Sequence, residues 1–301
     1  MKIGIDIGGS HIGMGLVEEQ KIVASKEKIF DLKERENIEK TILNSIQQMI
    51  SDLLEENNIK LEAIELIGIA APGTISNGMI VKAGNLKIQN FAILSELRKI
   101  YKNPLQIRND GKCAALAEKK YGAMKLYKDC VFINIGTGIG GAAFIDGKLL
   151  EPKRYSGFEF GHMVLNREGN LCSCGKRGCF ETYSSIKALK MNVTKAFGIE
   201  GDISGQYLRE KLLIKNDRKV EAAVEEFIEY LKIGIGNLID IFEPEVICFG
   251  GSFAYYEQHW IWKKWIEKLE EKGAIFNGGK RPLIVTAELK NDAGIVGAVI
   301  E

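Results

Sequence analysis

Three thiols and one imidazole are grouped in the segment GHMVLNREGNLCSCGKRGCFE, and they are the side chains of this sequence best suited to binding a metal ion. The four residues are His162, Cys172, Cys174 and Cys179. Together they form a complete tetrahedral ligand set for zinc, which binds imidazole nitrogen and thiolate sulfur in proteins. Because no coordination position would remain open, we expect a structural zinc ion that holds a loop in place.

Disulfide bonding is a weaker interpretation of the same cysteines. Three is an odd number, and Cys172 and Cys174 are too close in sequence for an unstrained bridge to each other. Nothing in the sequence indicates an oxidising compartment. A chance grouping is the remaining alternative, but Gly175 and Gly178 permit the tight turns that would bring Cys174 and Cys179 back to one ion. The other cysteines lie in apolar surroundings and are expected to be buried thiols: Cys113, Cys130 and Cys248.

Two glutamates flank the cluster, Glu159 three residues before His162 and Glu181 two residues after Cys179. A zinc-bound histidine coordinates the metal through one ring nitrogen and can make a directed hydrogen bond with the other. Carboxylates and a neutral imidazole are suitable acceptors and donors for sugar hydroxyls. We therefore expect Glu159, His162 and Glu181 to form a rigid polar rim for a polyhydroxylated ligand.

The length and charge of the chain limit the functional classes to consider. A chain of 301 residues is long for one compact core and favours two domains. Its 41 basic and 40 acidic residues nearly cancel, which argues against nucleic acid as the main partner. The start, MKIGIDIGGS, is not typical of a signal peptide, and no apolar run reaches the length of a membrane span. We expect a cytoplasmic protein with no membrane partner.

Short apolar strands alternate with helical patterns along the chain, which indicates an α/β fold. The predicted strands are Lys2–Ile7, a hairpin of Gly13–Glu18 with Lys21–Lys26, Ile64–Ala70, Leu105–Arg108, Cys130–Ile135, Ala142–Ile145, Val246–Phe249 and Leu283–Ala287. The predicted helices are Asn37–Asn57, Asp110–Lys120, Tyr183–Phe197, Val220–Phe242 and a final helix from Ala293.

An internal repeat is more informative than the single elements. The segments IGIDIGGSHIGMGLVEEQKI and FINIGTGIGGAAFIDGKLL share one order: buried strand, glycine turn, strand, tight turn, strand. Glycine turns let backbone amides approach phosphate oxygens closely, so two such units predict a nucleotide site. A P-loop is excluded because GxxxxGK[ST] does not occur, and a Rossmann fingerprint is excluded because each turn leads into a strand.

With these residues assembled, the chain resembles the ROK family of bacterial sugar kinases (repressor, open reading frame, kinase) along essentially its whole length. The resemblance rests on DIGGS at 6–10, APG at 71–73, ND at 109–110, GTGIGG at 136–141, EFGH at 159–162, CSCGKRGCFE at 172–181 and the AGIVGA ending. It implies an α/β fold of two actin-like (ribonuclease H-like) domains with a cleft between them. The smaller domain would comprise residues 1–110, completed by the C-terminal helix 290–301, and the larger one residues 111–289 with the zinc loop. No helix-turn-helix segment precedes Met1, so the repressor branch of the family is not expected.

The resemblance implies that Asp110 is the general base, taking the proton from a sugar hydroxyl as that hydroxyl attacks the γ-phosphate of ATP. A carboxylate suits this role, since phosphoryl transfer needs mainly alignment and modest proton acceptance. From the residues alone, Asp110 could instead be the N-cap of the helix that begins at Gly111, and both roles could coexist. The implied sugar contacts are Gly73, Asn85, Asn109, Asp110, Glu159, His162 and Glu181.

The family also implies how ATP and Mg²⁺ would be bound. Asp6 matches the residue near the magnesium ion. The implied phosphate and nucleoside contacts are Gly8, Gly9, Ser10 and His11, then Gly136, Thr137 and Gly138, and finally Gly250 and Gly251 beside the adenosine. Because the two phosphate turns are built from backbone, we expect them not to depend on the zinc loop.

The sequence departs from the family at several of these positions. Ser10 stands where threonine is usual and retains the hydroxyl, while His11 stands where lysine or asparagine is more common and could contact phosphate or point to solvent. Gly111 replaces a common alanine, which should loosen the helix start. Phe158 precedes Glu159 where the family usually has glycine, so its ring could reshape the sugar pocket.

Two functional classes follow from this reasoning. The first is an ATP-dependent kinase that phosphorylates the 6-hydroxyl of a hexose or N-acylhexosamine, with glucose and N-acetylmannosamine as leading substrates. The second is a catalytically weak sugar sensor of the same fold. Intact Asp6, Asn109 and Asp110 favour the enzyme, since a sensor needs no proton acceptor. The family resemblance also implies a homodimer.

Overall fold

The computed structural model describes residues 1–30, 34–84, 86–152, 157–214 and 217–301. Asn85, an expected sugar contact, lies outside the described residues. The chain divides into two compact units. Unit 1 comprises Met1–Lys125, Glu151–Gly157 and Glu288–Glu301, and unit 2 comprises Leu126–Leu150 and Phe158–Ala287.

Unit 1 is built around a five-stranded sheet. Elements are numbered along the whole chain. The strands of this sheet are β1 (Lys2–Ile7), β2 (His11–Glu18), β3 (Lys21–Ile29), β4 (Leu66–Ala71) and β8 (Leu105–Asn109). Their order in the sheet is β3-β2-β1-β4-β8. The first three strands are antiparallel, whereas β4 runs parallel to both β1 and β8. A separate antiparallel sheet contains β5 (Thr74–Ser76), β6 (Met79–Ala83) and β7 (Ile88–Phe91).

The helices of unit 1 are α1 (Ile38–Glu56), α2 (Ile93–Arg98), α3 (Asp110–Lys120) and α9 (Ala293–Ala298). The apolar stripe of α1 is buried as its helical spacing predicts, at Ile38, Ile42, Ile46, Met49, Ile50, Leu53 and Leu54. Glycines let α9 lie directly on the sheet, because a Cβ at Gly4 or Gly68 would overlap the α9 backbone. The last segment of the chain therefore completes the first unit.

Unit 2 repeats this topology. Its sheet contains β9 (Cys130–Ile135), β10 (Ile139–Ile145), β11 (Lys148–Leu149), β12 (Val246–Gly250) and β13 (Leu283–Thr286), in the order β11-β10-β9-β12-β13. As in unit 1, three antiparallel strands are followed by two parallel ones. Its helices are α4 (Glu181–Ser184), α5 (Ile186–Phe197), α6 (Gly205–Leu212), α7 (Arg218–Phe242) and α8 (Trp260–Leu269). The matching strand order confirms the predicted internal repeat.

Some elements differ from the sequence predictions. The helix predicted over Tyr183–Phe197 is divided at Ser185, whose hydroxyl accepts a hydrogen bond from Ala188 N at 3.1 Å and caps α5. The strand predicted to start at Ala142 already begins at Ile139, which shortens the glycine turn to residues 136–138.

The predicted boundary after residue 110 also differs from the observed division. It would place α3 in the second domain, whereas α3 lies in unit 1. There, Ala117 of α3 packs in one cluster with Ala293 and Val296 of α9. None of the helices in the described parts of the chain has the length and apolar character that a membrane span requires.

Candidate functional site

The ligand atoms of the predicted metal cluster, His162, Cys172, Cys174 and Cys179, all lie within 4.8 Å of one another. Cys174 Sγ is 3.6 Å from Cys179 Sγ, and Cys172 Sγ is 3.6 Å from His162 Nδ1. A tetrahedral zinc ion with Zn–S bonds of about 2.3 Å separates its sulfur ligands by about 3.8 Å. The donor set and its spacing therefore fit zinc, and none of these cysteines is in a disulfide. We call these four residues the Cys3His cluster.

Two tight turns bring the ligands of this cluster together. In the first, Cys172 N donates to Lys176 O at 2.8 Å and Gly175 has a φ of +93°, a conformation that favours glycine. In the second, Gly178 has a φ of +73°, and a Cβ there would overlap the backbone of Asn166. Both glycines are thus required by the turns, as the sequence predicts.

Burial favours the protonated form of two thiols of the Cys3His cluster. Burial raises the pKa of Cys179 to about 12 and also raises the pKa of Cys172. Zinc binds the thiolate form, so a bound cation would hold these two sulfurs deprotonated at neutral pH. The four donors together would hold the zinc ion.

Glu181, the first residue of α4, lies against the Cys3His cluster. Its Oε1 is 3.2 Å from Cys172 Sγ and 3.8 Å from His162 Nδ1. Its Oε2 accepts a hydrogen bond from Ile139 N at 3.4 Å. The structure thus brings together two of the three predicted rim residues, His162 and Glu181, and it engages both carboxylate oxygens of Glu181 within unit 2.

The third rim residue, Glu159, begins a short 3-10 helix, Phe160–His162, and its side chain is exposed. Phe158, immediately before it, has a φ of +59°, which is unfavourable for a side chain with a Cβ. This left-handed backbone explains why glycine suits the position. The Phe158 ring packs, partly buried, against the core of unit 2.

Two glycine turns lie side by side at one edge of the unit 2 sheet. In the first, Gly136 N donates to Gly138 O at 3.0 Å, and Thr137 between them is exposed. The second follows β12, which pairs in parallel with β9 through Gly250 and Asn134. Gly251 has a φ of +73° and no room for a Cβ, which would lie 2.6 Å from Ile135 O. The predicted phosphate and adenosine turns are therefore neighbours.

In unit 1, the carboxyl ends of β1, β4 and β8 meet at one edge of the sheet. Asp6 is in register with Ala70, and Ala71 is in register with Asn109. This edge brings together the predicted residues Asp6, Gly8, Gly9, Ser10, Gly73, Asn109 and Asp110.

Asn109, and not Asp110, is the N-cap of α3. Its Oδ1 accepts a hydrogen bond from Lys112 N at 3.2 Å, and its Nδ2 donates to Gly73 O at 3.0 Å. Asp110 is the first helical residue, and its Oδ1 accepts from Gly111 N at 2.8 Å. The alternative interpretation of Asp110 as the N-cap is therefore wrong.

Asp6 is a strongly perturbed carboxylate at this edge. Burial, followed by the negative charge of Asp110, raises the pKa of Asp6 to about 7. Such shifts are frequent at functional sites. Oxygen donors of this kind fit Mg²⁺, which is usually held by one or two carboxylates and whose charge would offset the repulsion between them.

The His11 side chain is partly exposed and lies near polar groups of unit 1. Its Nδ1 is 3.4 Å from Ser10 Oγ, and its Nε2 is 4.0 Å from Glu27 Oε1. The ring also lines a cavity of about 600 Å³ in unit 1, whose other walls include Asp6, Lys26, Glu27 and Asp292.

Sequence reasoning missed two backbone contacts of the site. Gly294 in α9 lies against Asp6, and a Cβ there would overlap the Asp6 carboxylate. Ile139 N binds Glu181, as described above. The glycine in AGIVGA is a signal for the first contact, since glycine inside a helix often marks close packing. The second depends on tertiary packing and has no local signal.

Comparisons with known proteins place these features in context. The ROK family profile matches residues 2–300. A xylose repressor of Caldicellulosiruptor bescii is 30% identical over 287 residues, which cover 89% of this chain and 69% of the repressor. A glucokinase of Streptomyces coelicolor is 26% identical over 320 residues, covering 99% of this chain and 96% of the glucokinase. The crystal structure of a ROK hexokinase from Thermus thermophilus has a TM-score of 0.82 at 27% identity, covering 99% of this chain and 96% of the hexokinase. This similarity confirms the predicted fold class of two actin-like domains.

Proposed function

Because the chain belongs to the ROK family, we propose that it is an ATP-dependent sugar kinase that transfers the γ-phosphate to the 6-hydroxyl of a hexose or N-acylhexosamine. The observation that carries this proposal is the pair of carboxylates, Asp6 and Asp110, beside the glycine turn 8–10 at one sheet edge. A binding protein gains nothing from a buried acid beside a second carboxylate. Kinship with a hexokinase and a glucokinase supports the same reaction class.

Asp110 is the proton acceptor in this proposal. Its position at the start of α3 holds the carboxylate on a rigid element, and Gly111 N binds one oxygen. In this geometry the Asp110 carboxylate would receive the proton of the attacking hydroxyl. Asp6 would hold Mg²⁺, which when bound supplies positive charge to the phosphate oxygens.

Backbone amides bind the nucleotide in this proposal. The turn 8–10, with His11 beside it, and the turn 136–138 would donate N–H groups to phosphate oxygens, as glycine turns do in anion sites. Gly250 and Gly251 would contact the adenosine. ATP is thus assigned to backbone turns, without a Walker lysine.

Sugar recognition is assigned to polar side chains that retain hydrogen-bonding capacity. Asn109 retains one amide N–H and part of its carbonyl capacity beyond the two bonds it makes in unit 1. In unit 2, His162 Nδ1 faces the thiols, so its Nε2 is the nitrogen available to a sugar hydroxyl. The remaining proposed contacts are Gly73, Asn85, Asp110, Glu159 and Glu181, with zinc fixing the loop that carries His162. Glucose and N-acetylmannosamine remain the leading substrates.

A second function is a sugar sensor of weak catalytic activity. The relative that favours it is the xylose repressor, which shares 30% identity over most of this chain. Retention of the Asp6 and Asp110 pair favours the kinase, because sugar binding alone does not require a proton acceptor.

A panel of sugars distinguishes the two functions. ADP release would be coupled to a spectroscopic readout with ATP, Mg²⁺ and glucose, fructose, xylose, N-acetylglucosamine and N-acetylmannosamine in turn. We expect sugar-dependent ADP release with glucose or N-acetylmannosamine at least tenfold above the rate without sugar. Saturable sugar binding by calorimetry without ADP release for any sugar would support the sensor and contradict the kinase.

A further inference from the structure

Glu181 lies between the Cys3His cluster and the glycine turn 136–138. One carboxylate oxygen contacts Cys172 Sγ at 3.2 Å, and the other accepts the hydrogen bond from Ile139 N at 3.4 Å. The same Oε2 packs against the turn, since a Cβ at Gly138 would lie 2.7 Å from it. The side chain is 19% exposed, so these contacts are largely shielded from solvent.

Two more segments next to the cluster hold the same turn. The 3-10 helix that ends at His162 passes so close to β10 that a Cβ at Gly161 would overlap Ile139 O. On the other side, Ile186 N donates to Gly136 O at 2.8 Å. The turn 136–138 is therefore contacted by the segment that ends at His162 and by the segment that follows Cys179, residues 181–186.

The short helix that carries Glu181 cannot hold this arrangement by itself. α4 has four residues, which is too short to be stable without tertiary contacts. Its far end is held by α7, where Ser184 Oγ donates to Phe227 O at 3.0 Å. Its start, which carries Glu181, follows Cys179 and Phe180, and Phe180 N donates to Met163 O at 2.8 Å. Fixing Cys179 and His162 on one ion would therefore also fix the Glu181 carboxylate.

We propose that the Cys3His cluster positions the second phosphate turn through Glu181, so that loss of the metal weakens nucleotide binding as well as sugar binding. Glu181 is then a positioning residue for the turn 136–138. This inference rests on the proposed function of that turn in ATP binding. It replaces the expectation from sequence that the phosphate turns do not depend on the zinc loop.

The test uses the full chain and two variants matched in chemistry. Glu181→Ala removes the link, whereas Glu168→Ala removes an exposed carboxylate of the same loop that pairs with Arg167. Zinc content is measured by elemental analysis, the affinity for a non-hydrolysable ATP analogue by calorimetry, and the amide exchange of residues 136–139 by mass spectrometry.

We expect Glu181→Ala to raise the Kd of the ATP analogue about tenfold, because the lost hydrogen bond to Ile139 N is worth about 1.5 kcal/mol when its acceptor is charged. Amide exchange at Ile139 should become faster in the same variant, with zinc content retained. Glu168→Ala should match the wild type in all three measurements. Unchanged affinity and unchanged exchange in Glu181→Ala would overturn the proposal.

The exchange measurement separates this proposal from the proposed function. Wild-type protein treated with a zinc chelator, with no nucleotide present, should show faster exchange over residues 136–139 than untreated protein. This arm also decides the question if Glu181→Ala does not fold. Faster exchange in a protein that binds no ATP analogue would refute the kinase and retain the link, whereas equal exchange with and without zinc would refute the link.

Discussion

The ionisation of Asp6 makes the free energy of unfolding depend on pH. Its carboxyl group, in β1, is partly buried, and this burial together with the charge of Asp110 raises its pKa to about 7. In the unfolded chain an aspartate titrates near pH 4, so the folded state binds the proton more tightly between these two values. The contribution of Asp6 to stability is therefore most favourable below about pH 4, falls as the pH rises to 7, and stays low above it.

Asp6→Asn should remove this pH dependence, because the amide does not ionise. We expect the variant to be about 2–4 kcal/mol more stable than the wild type at pH 8, with a much smaller difference at pH 5. Urea unfolding at both pH values measures this. Glu62→Gln, which neutralises an exposed carboxylate of unit 1, is the control. An equal gain from Asp6→Asn at both pH values would contradict the assignment.

The Asp6 carboxylate occupies the space that a side chain at position 294 would need. Alanine normally stabilises a helix relative to glycine by about 1 kcal/mol. At Gly294 the added Cβ would overlap that carboxylate, so Gly294→Ala should lower the free energy of unfolding and weaken Mg²⁺-dependent activity. Gly205→Ala, in α6 with space for a methyl group, should be neutral or stabilising. Equal effects of the two substitutions in urea unfolding would show that Asp6 tolerates displacement.

Sequence reasoning at the residue scale worked where the chemistry is local. The Cys3His cluster could be predicted because its ligands and turn glycines lie within one short segment. Asn109 and Asp110 could not be distinguished as N-caps, since both residue types favour that position. The contact of Glu181 with Ile139 could not be predicted, because it depends on how segments far apart in sequence pack.

Among the elements, α3 is fixed to its neighbours by a fully buried glutamate. Glu118 Oε2 accepts from Ala123 N at 2.9 Å, and its Oε1 accepts from Leu289 N at 2.7 Å. These bonds join the end of α3 to the segment that leads into α9. Both lie within unit 1, and Glu118 is 0% exposed.

Glu118→Ala should be strongly destabilising, because it leaves two N–H groups without their acceptor. Each such group costs about 1–3 kcal/mol when buried, so the loss should exceed 2 kcal/mol in urea unfolding. Lys120→Ala, at an exposed position of the same helix, should change stability by less than about 0.5 kcal/mol. A loss below 1 kcal/mol in Glu118→Ala would mean that water replaces the carboxylate.

The repeated strand units could be predicted at the element scale, and several helices could not. The pattern of strand, glycine turn and strand predicted the antiparallel part of each sheet, because period and turn chemistry agree there, whereas the order of the parallel strands depends on tertiary packing. The small sheet β5–β7 and the helices α2, α6 and α8 were missed. Helix α8 has a helical stripe at Ile261, Trp262, Trp265 and Leu269, so its sequence does contain the signal. The position of α3 in unit 1 follows from its packing on α9, a contact between distant parts of the chain.

At the scale of the whole molecule, the oligomeric state remains a prediction. Helix α7 buries one face in the core of unit 2. Two isoleucines of α7, Ile233 and Ile241, stay exposed. We expect a homodimer, with a mass near twice the 33.4 kDa of one chain in light scattering at micromolar concentration. A mass of 33.4 kDa would contradict it.

The central claim is that this molecule transfers phosphate with Asp110 as proton acceptor. Asp110→Asn tests it most directly, because the amide oxygen can still accept from Gly111 N and keep the start of α3 intact. With the best sugar of the panel, we predict that kcat falls roughly 10²–10⁴-fold while the calorimetric affinity for the sugar stays within threefold of the wild type. Turnover in Asp110→Asn close to that of the wild type would contradict the account.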